Sequence, residues 1–343
     1  CCSNRKRKEG GKSVKIDELR RLLQAADREN LEKAFAESYK QLRKAQKEEI
    51  DQVLTDILEG KTAKKENKKE KPLEFEDLKG QIEFFIENAK AQNYFAPNRV
   101  IPKNQRPKWR FMVKNFIKEL EKIPPDSEKF DESVQLLDQL YALICLACNV
   151  YLFSTDDPFR SIGWEQNQLF ALLAKRTFET GYSRENISRL LLRASTGGLS
   201  RESLHIQQEM ALAALLRTSD VRTAAIEEAE KLVDGWEEKL KTLKQYDRGR
   251  YELEENIDEL GAVILMLSAA LEEWKKGIDY YFKHSKRQNR EVTLYCALKV
   301  FWYIDRNDLW IKTYEYGLRK KIEPRDELTR RYEELKRNSL DGG

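Results

Sequence analysis

The chain of 343 residues reads as all-α, a run of consecutive helical hairpins forming an irregular α-solenoid or a multi-helix bundle. Three observations carry that expectation. Only 15 Gly and 8 Pro punctuate the chain, which favours long helices over turn-rich sheet. Apolar residues recur at spacings of three and four, segment after segment, rather than every second position. Charged residues make up 36% of the chain, against roughly 25% in an average domain, so each helix has a wide solvated face.

The first 13 residues read as a basic disordered tail, with Arg5, Lys6, Arg7 and Lys8 close together. The leading Cys1 and Cys2 fit a solvated tail; a lipid-bearing first cysteine is the alternative reading. Residues 14–60 make an N-terminal helical unit. Leu19, Leu22, Leu23, Leu31 and Phe35 lead into Leu42, Ile50, Val53, Leu54, Ile57 and Leu58, and Gly60 supplies a C-cap. The stretch 61–72, KTAKKENKKEKP, has six Lys and two Glu and nothing to bury, so a Lys-rich linker is expected.

A basic helical unit is expected over 73–123, where Pro124-Pro125 stop the helix, and the main helical array over 124–343. Asp126 or Ser127 caps the next helix, in which Val134, Leu137, Tyr141, Ile144, Cys148 and Tyr151 form one buried face. Helices follow over about 164–180, 184–195 behind Ser183 and before Gly197-Gly198, and 201–217 after Ser200. Ser219 or Asp220 opens another, which ends near Tyr246-Asp247-Arg248-Gly249.

The most regular pattern is Leu253, Ile257, Leu260, Ile264, Leu267, Leu271, Trp274, Ile278 and Tyr281, a repeat of 3.5 residues over four heptads. It predicts one long bundle or coiled-coil helix, paired with the preceding helix through the short YDRGR link. Helices over about 290–304, 308–320 and 325–338 complete the array, separated by Asp305-Arg306-Asn307-Asp308 and by Pro324. The succession resembles an α-solenoid of the tetratricopeptide or HEAT kind in architecture alone, because no fixed period and no repeat consensus is present.

Charge is partitioned along the chain. Residues 1–123 carry a net +9, residues 124–282 a net −10 and residues 283–343 a net +5. Either the basic ends dock on the acidic middle, or each block faces its own partner.

Signatures of catalysis fail one by one. Gly11-Lys12-Ser13 and Gly60-Lys61-Thr62 end like phosphate loops, but Lys6 and Thr55 stand where the earlier glycine belongs. The chain has two His and five Cys, too few for a zinc cluster or a disulfide framework. Cys145 and Cys148 lie mid-helix, where a thiol acts as a small apolar group and lacks the helix N-terminus that would activate it. Glu202 and His205 have the spacing that puts both on one helix face, but a di-iron bundle needs a second such pair. That couple is the one enzymatic arrangement left open. No cofactor and no metal is expected.

The most informative stretch is 88–118, with eight basic residues and no acid. Pro107 suits a first helical turn, and Trp109, Met112, Val113, Phe116, Ile117 and Leu120 then make an apolar stripe. Arg110, Lys114 and Lys118 form a ridge of like charge at i, i+4 and i+8, which weakens its own helix and so calls for an anion. Arg99, Lys103, Arg106 and Lys108 extend it through an Asn- and Pro-broken loop with Tyr94 and Phe95. Two explanations compete: a nucleic-acid backbone outside, or the acidic helices around 225–259 inside. A helix-turn-helix over 183–210 is a weaker nucleic-acid candidate, since its turn is long and its second helix scarcely basic.

The expected role is therefore a non-enzymatic helical adaptor or scaffold that binds another protein, in the cytoplasm. The alternative is a nucleic-acid-binding protein that uses Arg99, Lys103, Arg106, Lys108, Arg110, Lys114 and Lys118. No apolar run reaches the ~18 residues that a membrane span requires.

Overall fold

The computed structural model describes residues 16–43, isolated positions between 46 and 58, and residues 74–341. Fifteen α-helices and no strand occur among the described residues, so the protein is all-α. The basic tail 1–13 and the Lys-rich linker 61–72 lie outside them. The chain divides into two compact units, Cys1–Pro72 and Leu73–Gly343.

In the first unit, α1 spans Ile16–Ala25 and α2 spans Arg28–Lys40. Asp27 caps α2 by accepting from the Asn30 amide at 2.8 Å. No described residue of α2 is buried.

The second unit opens with α3 (Phe75–Lys90), α4 (Trp109–Glu121) and α5 (Phe130–Asn149). Short α6 (Pro158–Ile162), then α7 (Gln166–Glu179), α8 (Arg184–Ser195) and α9 (His205–Leu215) follow. Long α10 (Ser219–Thr242) and α11 (Arg248–Ala270) form a hairpin, and α12 (Trp274–His284) doubles back on α11. The series ends with α13 (Arg290–Tyr303), α14 (Asn307–Arg319) and α15 (Asp326–Asp341).

Two apolar cores meet on α11. Leu260, Val263, Ile264 and Leu267 face a core that reaches back to Leu78 on α3. Ala262, Leu265, Met266 and Ala269 face a second core that runs on to Leu335 on α15. A helix apolar on both sides has to lie inside, and this one does. Because Phe85 and Phe116 share the first core with Tyr141 and Phe153, Pro124-Pro125 end a helix without ending a compact unit.

The helix after Pro124-Pro125 starts at Phe130 behind Lys129 rather than at Asp126 or Ser127, and Tyr151 lies past its end, 64% exposed; two further sequence expectations are corrected as well. The heptad pattern from Leu253 to Tyr281 is not one helix: it breaks at Leu271-Glu272-Glu273, where Glu272 has φ +58°. The Glu273 amide returns to Ser268 O at 2.8 Å, and Gly277 then lies so close to α11 that a Cβ there would sit 2.6 Å from the Ser268 Cβ. Leu260, Leu267, Ile278 and Tyr281 are all buried, so the apolar spacing reports burial and not continuity. The second correction concerns Glu202, which falls in a turn ahead of α9 because the helix begins at His205. Gln207 Oε1 accepts from the Leu204 amide at 3.0 Å and fixes that later start. Glu202 and His205 therefore share no helix face.

Candidate functional site

The basic stretch is built by a loop and one helix resting on aromatic packing. Asn88, Asn93 and Asn98 form an amide ladder through the loop, with Asn93 Nδ2 donating to Asn88 Oδ1 at 2.8 Å and Asn98 Nδ2 to Asn93 Oδ1 at 2.9 Å. Arg106 Nε donates to Ile101 O at 2.8 Å and closes the loop onto the start of α4. Trp109 stacks on Phe153 with centroids 3.9 Å apart, and Phe116 meets Phe85 edge-on at 5.7 Å. Burying this stripe fixes which way the remaining face of α4 points.

Arg110, Lys114 and Lys118 lie on that face, and Arg99, Lys103, Arg106 and Lys108 precede the helix. Arg99, Lys103, Lys108, Arg110, Lys114 and Lys118 are exposed, and Arg106 is half-buried. None of the seven has a carboxylate partner among the described residues. Lys114 Nζ lies beside Gly163, where α6 ends in the left-handed region at φ +66° and a Cβ would come within 3.0 Å of the amine.

Tyr94, read in the sequence as an extension of the patch, is instead part of the core: it is buried against Phe85 at 5.3 Å and Phe153 at 6.0 Å. Its neighbour Phe95 stacks on Tyr151 at 5.6 Å and 20°, and Tyr151 is 64% exposed. Since Tyr94, Phe153 and Trp109 belong to one cluster, this stacked pair sits at the N-terminal end of α4. On α4 itself Phe111 is 58% exposed, with the Arg110 guanidinium 5.0 Å from its ring centre. Phe111 and the cations of α4 thus share the exposed side of one helix.

The acidic helices do not meet this ridge. Glu227 and Glu228 on α10 hold Arg184 at 2.6 and 3.2 Å, and Glu228 also takes Lys231 at 2.8 Å. Glu237 holds His284 at 3.2 Å and also Lys286, and Asp258 lies 3.8 Å from Arg287. Of the two explanations, internal docking on 225–259 finds no ion pair to any of the seven cations among the described residues, and Glu227, Glu228, Glu237 and Asp258 are taken by nearer cations.

The other sequence candidates dissolve. In the helix-turn-helix stretch, Gln208 and Glu209 of the second helix are buried rather than presented to a groove. Burial pushes the Cys145 and Cys148 thiols up to about 12, so neither is a thiolate near neutral pH. His205 Nδ1 donates to Ala194 O at 3.0 Å, and burial lowers its pKa. Among the described residues no three His, Cys, Asp or Glu side chains group as a metal ion requires, and no helix is long and apolar enough to cross a membrane.

Sequence reasoning missed a second place. A cavity of about 570 Å³ opens between the 195–204 loop, α9, α11 and α13. Its loop wall is pinned from behind: Gln166 Nε2 donates to Gly198 O at 3.1 Å and Gln166 Oε1 accepts from the Ser200 amide at 2.8 Å. Gly198 passes so near α5 that a Cβ would lie 2.2 Å from Cys145 O. The glycine pair Gly197-Gly198 is the one sequence signal of this place. No family model, curated protein or solved structure matches the chain.

Proposed function

We propose that the chain binds single-stranded nucleic acid along the face formed by Arg99, Lys103, Lys108, Arg110, Lys114 and Lys118. One observation carries the reading: the seven cations between Arg99 and Lys118 have no carboxylate partner among the described residues, while Glu227, Glu228, Glu237 and Asp258 are each held by other residues. Cations held on a rigid helix without a local counter-charge attract a polyanion, and binding releases its condensed counterions. The stacked Phe95–Tyr151 pair and exposed Phe111 favour unpaired bases, whose faces are open to stacking. Cys145, Cys148 and Cys296 are free thiols, which suits a reducing, cytoplasmic setting.

Fluorescence anisotropy with single- and double-stranded oligonucleotides tests this reading. Five neutralised phosphates on a single strand predict an affinity that falls about 100-fold between about 50 and 200 mM salt. Replacing Lys103, Lys108, Arg110, Lys114 and Lys118 by Gln removes the binding; Arg106 is kept because its guanidinium holds the loop. Absence of binding at the lower salt, or equal binding by the folded variant, overturns the proposal.

A second reading, a protein adaptor, has its own observation in the first unit. Leu19, Leu22 and Leu23 lie at i, i+3 and i+4 on α1 and are 42%, 57% and 47% exposed. An apolar helix face of this kind lies in the groove of a protein partner, the simplest being a second copy of the chain. Sedimentation should then show mass rising with concentration, abolished by Leu22→Glu with Leu23→Glu; a monomer at every concentration counts against it.

A further inference from the structure

We propose that the cavity between the 195–204 loop, α9, α11 and α13 binds a small linear organic cation of the aliphatic polyamine class, its ammonium groups held by Glu209, Glu252 and Glu259. The volume, about 570 Å³, falls in the range of small-molecule sites.

Charge sets the sign of the ligand. Glu209, Glu252, Glu255, Asp258 and Glu259 line the cavity against Arg287 and Lys299. Asp258 is already satisfied by the Lys286 amide at 2.9 Å and by Arg287. Glu255 accepts from the Tyr251 hydroxyl at 2.6 Å. Lys299 sits at the rim, exposed, between the rings of Tyr295 and Tyr303. That leaves Glu209 and Glu252 without a cationic partner among the described residues, and Glu259 with only the through-space attraction of Arg287 and Lys299.

Glu209 is the second, independent observation. It is 0% exposed, its Oε1 accepts from the Ser195 hydroxyl at 3.3 Å, and its Oε2 has no hydrogen-bond partner. A carboxyl group withdrawn from water with one oxygen unsatisfied is costly unless a cation meets it. Burial, and then the charge of Glu259, hold the Glu209 carboxyl well above the usual range, and burial raises Glu259 as well. Both groups thus gain from a positive charge between them.

The arrangement chooses an extended cation over a bare metal ion. The carboxylates do not converge on one point as metal ligands do. Leu199, Ile206, Ala262 and Val300 supply apolar wall beside the acids. Ammonium groups joined by methylene chains match that alternation of charge and apolar surface.

Calorimetry with spermidine on the nuclease-treated full chain tests the proposal, with Mg²⁺ at matched ionic strength for comparison. The expected result is one site, bound about tenfold or more weakly after Glu209→Gln and again after Glu252→Gln with Glu259→Gln. Glu227→Gln, which lies outside the cavity, leaves the affinity unchanged. Circular dichroism verifies that each variant is folded. Weak multi-site binding equal in all variants overturns the proposal, and so does Mg²⁺ binding that displaces spermidine at equal concentration.

Discussion

Arg184, Lys231, His284 and Lys286 reach carboxylates of α10, whereas Arg110, Lys114 and Lys118 on α4 reach none among the described residues. The two regions have similar charge density and opposite bookkeeping. Around α10, Glu227, Glu228, Glu237 and Glu238 are answered within the fold, so these charges hold neighbouring segments together and offer little to a partner. On α4 the apolar stripe alone anchors the helix, and the charge is left for something outside. Local compensation therefore separates structural charge from functional charge better than net charge does.

The contrast can be broken most sharply on α4 itself. Phe116 is 2% exposed in the aromatic cluster, so Phe116→Ala should cost about 3–5 kcal/mol in chemical denaturation. Lys118→Gln, two residues away and exposed, should leave the midpoint where it was. A comparable loss from both would mean that the ridge is structural after all.

A smaller effect sharpens the comparison among carboxylates. Burial pushes the Glu237 carboxyl up, but hydrogen bonds from Lys286 and His284 outweigh it and bring the pKa below the ordinary 4.5. Its contribution is then present above about 4.5 and lost as pH falls through the lower folded value. Glu209 is the reverse case, raised above 4.5, with a contribution complete in acid and lost as pH rises through the folded value. Glu237→Gln should thus lower the denaturation midpoint at neutral pH, and Glu209→Gln should raise it. Both differences should shrink below about 4. A midpoint series over pH checks the signs, and two shifts of the same sign would remove the distinction.

Much of the helix plan was legible because helix signals are local. Ser183 accepts from the Asn186 amide at 3.1 Å and opens α8 where its residue type predicts, and α8 closes at Ser195 before the glycine pair. The apolar stripe of α4 was legible for the same reason, and every stripe residue except half-buried Met112 is fully buried. The break at Leu271-Glu272-Glu273 was not legible, since no Gly or Pro marks it. It follows from α12 packing back on α11 through Gly277, a contact between turns that no spacing rule contains.

The candidate sites divide along the same line. The acid-free run that marks the basic ridge is continuous in sequence, and an exposed helix face needs only its own residues. Tyr94 and Phe95 are adjacent and alike in composition, but only the fold assigns one to the core and the other to the surface. The acidic cavity draws Glu209, Glu259 and Lys299 from three helices.

By itself the sequence determined the all-α class, most helix boundaries and the buried face of α4, because backbone hydrogen bonds, caps and apolar periodicity act within a few residues. Tertiary structure alone decided which charges are neutralised and where a carboxyl group is stranded from water. Those outcomes depend on distances between residues remote in the chain, and the Coulomb and desolvation energies that follow are fixed only once the helices have packed.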